Sequence, residues 1–316
     1  MLVIAISISL IAATLLMWRA GLTIALNLAS LAFGVVGITL LALCFGLRAS
    51  EQPWKKYVAI GAEDVLTFTS ISLMGAVTSY AVAAGTQGWM DGPMAAFDQA
   101  IGFDWLDWYE LVAASRFLQI SGMAVYASIF ITPAILICGF TVSGQRAEMR
   151  AFLMSFWLAA VISLFLFHFV PILGPLAYLW HGPIDYMPTS GLYQAELIPL
   201  LREHRFGSVD LGALRGLVGP PSFHAASAIL YMLAAWRLPR FRMPLIALNV
   251  AMLFSIPVEG THYAVDVISG ALVAITAYLI VHRYVRAAGP ASAGYGAVGY
   301  AESPSTARVA VANLAP

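Results

Sequence analysis

Long apolar runs separated by short polar breaks make up most of the chain, and many of the runs are as long as membrane-crossing helices. A helix needs about 20 mostly apolar residues to cross the hydrocarbon layer of a bilayer. Runs of this kind lie near 2–18, 22–47, 64–85, 117–141, 151–172, 222–236, 243–258 and 262–283. The pattern predicts an all-α fold, a polytopic transmembrane helix bundle of about eight spans. The runs near 2, 222 and 243 are the shortest. The first, "MLVIAISISLIAATLLMW", has no basic residue ahead of its apolar stretch. It reads as a retained helix rather than a cleaved signal segment.

Two of the breaks are long enough to carry structure. Residues 86–116 mix Asp91, Asp98, Asp104, Asp107 and Glu110 with Trp89, Phe97, Phe103, Trp105, Trp108 and Tyr109. Aromatic rings beside acids suit a helix in the headgroup layer, and equally a lid packed on the bundle. Residues 173–221 carry His181, Arg202, His204, Arg205 and Arg215. From residue 287 the chain is rich in Gly, Ala, Pro and Ser, a composition that predicts a disordered tail.

Only 10% of residues are charged, where a soluble domain carries about 25%. The formal net charge is zero, which offers no electrostatic footprint for nucleic acid. Cys44 and Cys138 sit in apolar runs and read as buried small hydrophobes. Basic residues alternate in density between successive breaks, eleven on one side against five on the other. The positive-inside rule then puts both termini in the cytoplasm, with the protein in the cytoplasmic (inner) membrane.

Candidate chemistry gathers at two places. In "GPPSFHAASA", residues 219–228, the prolines and Ser222 open a helix, and His224 lies in its first turn. Free N–H groups and the positive dipole end at such a terminus favour an anion such as phosphate. In "EGTHYAVDVISG", residues 259–270, His262 and Asp266 stand four apart on one helix face. A carboxylate on one ring nitrogen fixes the tautomer and makes the other nitrogen a better nucleophile or base. Taken singly, either histidine also fits an ordinary interfacial group, and H-x-x-x-D also fits half a metal site. The predicted spans bring both histidines and Asp266 to one extracytoplasmic face. Ionisable groups in membrane segments are costly and point to function.

These two motifs resemble the second and third signatures of the type 2 phosphatidic acid phosphatase superfamily. The resemblance is closest to its inositol phosphorylceramide synthase-like branch. "FDQAIGFDW" (97–105), "VYAS" (125–128) and "PILGP" (171–175) also resemble bacterial members of that branch. The resemblance covers roughly residues 90–283. It implies a catalytic membrane domain over 61–286 with a six-helix core, preceded by two extra helices in 1–60 and followed by the tail 287–316. It implies that His262 attacks phosphorus, that Asp266 orients its ring, and that His224 protonates the leaving oxygen and later serves as base. No cofactor and no metal are implied. It implies a phosphorylated lipid substrate in the bilayer, whose phospho group would pass to an alcohol or lipid acceptor, or to water.

One departure concerns the phosphate. The wider superfamily places an arginine one residue after the serine of its third motif. Here Ser255 is followed by Ile256, and no K-x₆-R-P motif exists. Phosphate binding therefore falls to Ser222 and to Arg215, Arg205 and Arg202 as candidates. Two other readings stand beside the enzyme: a non-catalytic lipid-binding or transport protein on the same scaffold, and a hydrolase holding a metal with His224, His262 and Asp266.

Overall fold

A computed structural model describes residues 1–287 of the protein. The expected disordered tail falls outside the described residues. In chain order the elements are α1 (Leu2–Arg19), β1 (Thr23–Ile24), α2 (Leu28–Arg48), α3 (Pro53–Ala84), α4 (Asp91–Ala100), α5 (Trp105–Ala113) and α6 (Arg116–Ala127). Then come α7 (Thr132–Val142), α8 (Arg146–Phe167), α9 (Pro175–Leu179), α10 (Tyr193–Arg202), β2 (Ser208–Val209), α11 (Phe223–Ala235), α12 (Arg242–Glu259) and α13 (Ala264–Ala287).

Six of these helices, α1, α2, α3, α8, α12 and α13, are long and apolar enough to cross a membrane. Leu31, Val35, Ile38 and Phe45 of α2 are exposed, as are Ile4, Ile8 and Ile11 of α1. Apolar surface on that scale is tolerated in lipid and not in water. The molecule is a helical membrane protein.

The fourth run, read from sequence as one span over 117–141, is broken. α6 and α7 meet at a 42° bend through a short 3-10 turn at Ser128–Phe130. Pro133 opens α7, where its missing N–H costs nothing. The sixth run is also not a full span. α11 has 13 residues, about 20 Å at 1.5 Å per residue, against roughly 30 Å of hydrocarbon. The residues leading into it, Pro220, Pro221 and Ser222, are all buried. The second run begins later than its apolar stretch suggests. Residues 23–24 leave the helix to pair in parallel with 208–209, and Asn27 caps α2 through a reciprocal bond with Ser30. Cys44 is buried as expected, whereas Cys138 is exposed on the apolar exterior of α7.

The main core lies among α3, α7, α8, α11, α12 and α13, around Phe140, Phe152, Phe156 and Tyr231. A second cluster ties α1 and α3 to α10 and to the segment carrying Leu217. A third packs Trp105 and Tyr109 of α5 against Leu176 and Val258. That third cluster sits at the end of the bundle where α12 turns into α13.

Candidate active site

The α12–α13 turn sets the geometry of the site. Thr261 adopts φ 50, a left-handed conformation that is a real outlier for a β-branched residue and costs on the order of 1–3 kcal/mol. Its neighbour His262 follows with 3% of its surface exposed, and Asp266 has none. His262 Nδ1 lies 3.2 Å from Asp266 Oδ2, which also accepts the Tyr263 N–H at 3.1 Å. An ionised carboxylate can only accept. With Asp266 ionised, the proton sits on Nδ1 and Nε2 presents its lone pair. Oδ1 of Asp266 is buried with no hydrogen-bond partner.

α13 is capped from outside its own segment. Asp98 of α4 accepts the Ala264 N–H at 2.7 Å and the Val265 N–H at 2.9 Å. These are two of the orphan donors of the α13 N-terminus. Burial pushes the Asp98 carboxyl up, and these two donors oppose the shift. Asp91 does similar work beside it. It accepts the Leu173 and Gly174 N–H groups at 2.9 and 3.1 Å, and the Tyr263 hydroxyl at 3.0 Å. The acids of 86–116 thus include two structural anchors. The segment forms two helices packed on the bundle rather than one. Trp105 Nε1 donates to Pro257 O at 2.8 Å, which fixes α5 against the last turn of α12.

His224 arrives from α11. Ser222 caps this helix, its Oγ accepting the Ala225 N–H at 3.4 Å, and its own N–H donates to Asp266 O at 3.0 Å. The two helices cross at Gly270, where a Cβ would collide with the Ser222 carbonyl. Tyr126 of α6 stacks on the His224 ring with centroids 4.3 Å apart and its hydroxyl 3.3 Å from Nδ1. The same hydroxyl lies 3.1 Å from Ser190 Oγ. Gly260 lies between His262 and Tyr126: a Cβ there would sit 2.7 Å from His262 Cδ2 and 3.2 Å from the Tyr126 hydroxyl.

Behind this group is Glu259, 1% exposed. Its carboxylate accepts the Tyr186 hydroxyl at 2.6 Å and the Thr189 hydroxyl and N–H at 2.6 and 3.1 Å, and its backbone carbonyl takes the Ser190 N–H at 2.8 Å. Burial and this carboxylate raise the Tyr186 hydroxyl above the usual phenol range. Glu259 thus pins the 186–190 loop over the site. None of Tyr126, Ser190, Glu259, Asp91 and Asp98 was given a role from the sequence. Asp91 and Asp98 stood there only among the acids of 86–116, Asp98, Tyr126 and Glu259 lay inside motif segments, and Ser190 had no signal.

The structure brings His262, Asp266, His224 and Ser222 together. The three arginines differ. Arg205 is exposed and paired with Glu203 at 3.1 Å. Arg202 lies over the Trp89 ring and donates to Thr86 Oγ1 and Gly88 O at 3.0 and 2.8 Å, holding the α3–α4 turn. Arg215 lies over the Tyr193 ring, 3.4 Å from its centroid, and its Nη1 is buried without a partner. Its backbone is fixed by Tyr80, and that of Leu217 by Ser79. Next to Tyr193, Gln194 has a buried Oε1 with no partner, and so has Thr261 at Oγ1. Both atoms approach Gly174. Ile256 is fully buried against Tyr126 and Ala225. No group of three His, Cys, Asp or Glu side chains among the described residues is arranged to hold a metal ion.

A membrane helix bundle whose buried His–Asp pair meets a second histidine at a helix N-terminus has the parts of a phosphoryl-transfer site. The sequence profile of the PAP2 superfamily matches residues 93–280, more than half the chain, and the protein belongs to that superfamily. Membership points to an enzyme of the lipid phosphatase or phosphotransferase type. No curated protein and no solved structure matches the chain.

Proposed function

We propose that the protein transfers the phospho group of a lipid phosphoester through a phosphohistidine on His262. The observation that carries this reading is the His262–Asp266 contact at 3.2 Å, with the His224 helix tied to the same Asp266 through the Ser222 N–H at 3.0 Å. His262 Nε2 attacks phosphorus, the N–P bond forms and the ester P–O bond breaks. His224 gives its proton to the leaving oxygen. In the second half the acceptor hydroxyl returns a proton to His224 as its oxygen takes the phosphorus from His262. Asp266 stabilises the ring as it gains positive charge. The atoms balance without a metal.

The acceptor is an alcohol, as in inositol phosphorylceramide synthase-like enzymes, or water. Support for the alcohol comes from the segments that resemble that branch, since each touches the site. Asp98 and Trp105 brace α13 and α12, Tyr126 meets His224, and Leu173 and Gly174 hold Asp91. Arg215, with its free buried nitrogen, is the favoured phosphate ligand, and Arg202 is committed to the α3–α4 turn.

The deciding experiment gives purified protein a panel of labelled lipids with and without alcohol acceptors and scores free phosphate against new phospholipid. Turnover that is unaffected by chelators and lost in His262→Ala supports the proposal. Inhibition by chelators supports the metal reading. Lipid binding without turnover supports the non-catalytic one.

Sidedness is proposed with it: the site faces away from the cytoplasm and both termini lie inside. Cysteines introduced at Asp185 and at Glu51, both exposed, in a background lacking Cys44 and Cys138, should separate the two faces. An impermeant thiol reagent should label Asp185→Cys in intact cells and spare Glu51→Cys. The reverse pattern discards an outer-leaflet substrate.

A further inference from the structure

A cavity of about 710 Å³ opens between α1, α3 and α8, apart from the histidine site. Its volume is within the roughly 300–1,000 Å³ typical of small-molecule sites. The floor is formed by Ile71 and by Ser9, whose hydroxyl accepts the Trp157 Nε1–H at 3.0 Å. The rim is formed by Arg19, His168 and His204, all exposed. Between floor and rim the lining is apolar except for Thr78, whose hydroxyl is turned to Met74 O at 2.6 Å.

Depth identifies the environment. Ser9 to Arg19 along α1 and Trp157 to His168 along α8 each cover about 15 Å at 1.5 Å per residue. That is about half the hydrocarbon thickness of roughly 30 Å, or one leaflet. The rim lies at the same end of the bundle as the His262 site, because α3 ends at Ala84 and leads directly into α4, which caps α13. Charge identifies the headgroup. No carboxylate lines the cavity, and Arg19 has no ion-pair partner among the described residues. His204 is held at the rim by a left-handed backbone, φ 53, with its Nδ1 3.3 Å from Ala20 O.

We infer that this cleft is a binding site for a phospholipid with a net anionic headgroup, its acyl chain lying along α1, α3 and α8 and its phosphate at Arg19, His168 and His204. The ordinary bilayer fills grooves without regard to headgroup charge. A built site selects charge.

Trp157 at the floor reports occupancy. The full chain is reconstituted in vesicles in which phosphatidylcholine is replaced stepwise by acyl-brominated phosphatidylglycerol or acyl-brominated phosphatidylcholine. The Trp157 contribution is the difference between the parent and Trp157→Phe. Half-quenching is expected at a mole fraction about fivefold lower for the anionic lipid, the effect of one basic side chain near a membrane surface. Arg19→Gln with His204→Gln should bring the two curves together, and Arg19→Lys should keep them apart. Coincident curves in the parent, or a Trp157 signal that neither lipid quenches, overturn the site. A preference that survives the double substitution overturns its rim. The assay reads no turnover, so its result is independent of the proposed chemistry.

Discussion

α2 and the α11–α13 end of the molecule share an apolar composition and differ in almost every other respect. In the most apolar stretch of α2 only 6% of residues are buried within the protein, against 44% in α12. Added Cβ atoms at Gly34, Gly37 and Gly46 of α2 would meet nothing within 4 Å. At the other end, Gly174, Gly260 and Gly270 are hemmed in by Thr261, His262 and Ser222. Glycine in α2 leaves the lipid-facing surface small, whereas glycine around the histidines lets backbones touch. Hydropathy reports only what the two regions share. Function follows the density of polar contacts between segments, which is low around α2 and high around His262.

The sharpest break in this contrast comes from His262→Ala. It should abolish turnover and an acid-labile phosphoryl adduct while leaving the detergent-solubilised protein folded. Near-normal activity would remove His262 from the chemistry. Asp266→Asn keeps the shape and removes the charge, and should cost roughly 10²–10⁴ in rate. A change below about threefold would make the carboxylate a packing group.

Paired glycine substitutions test the contrast directly. Gly270→Ala drives a methyl group into the Ser222 carbonyl. It should lower the thermal midpoint by about 5 °C or more and the rate by about 10², the scale of a misplacement near 1 Å. Gly37→Ala should leave both unchanged, or raise stability by up to about 1 kcal/mol. Equal effects would erase the distinction between the two regions. Among the substitutions expected to slow the reaction, the arginines should have the smallest effect. Arg215→Ala should cost more than about tenfold, Arg215→Lys should recover part of that, and Arg202→Ala and Arg205→Ala should cost less, since one charge-assisted hydrogen bond is worth about 1.5–3 kcal/mol. Full activity in all three alanine variants would move the phosphate to other ligands.

The helices were legible because apolar length is written locally. The His262–Asp266 contact was legible for the same reason: four residues along a helix make one face. What surrounds that pair was not. Asp98 is 166 residues from the N–H group of Ala264 that it caps, and Tyr126 is 98 residues from His224. No periodicity encodes such distances. The acids of 86–116 fitted a headgroup helix and a packed lid equally, because a buried carboxylate and an exposed one are the same letter. The break at residues 128–131 was hidden for a related reason. Apolar run length is blind to a bend, and Pro133 marks a helix start as readily as an interior.

The cap on α13 bears on the order in which the protein is made. Asp91 and Asp98 leave the ribosome long before Tyr263, Ala264 and Val265, the residues that occupy them in the finished molecule. Until then two carboxylates near the membrane surface depend on water or on passing partners. Closing so distant a contact has an entropic cost before it brings any gain. The histidine site is therefore assembled last, when the final helix enters the bundle. A chain stopped short of residue 264 keeps most of its hydrophobic segments and lacks the helix that Asp98 caps.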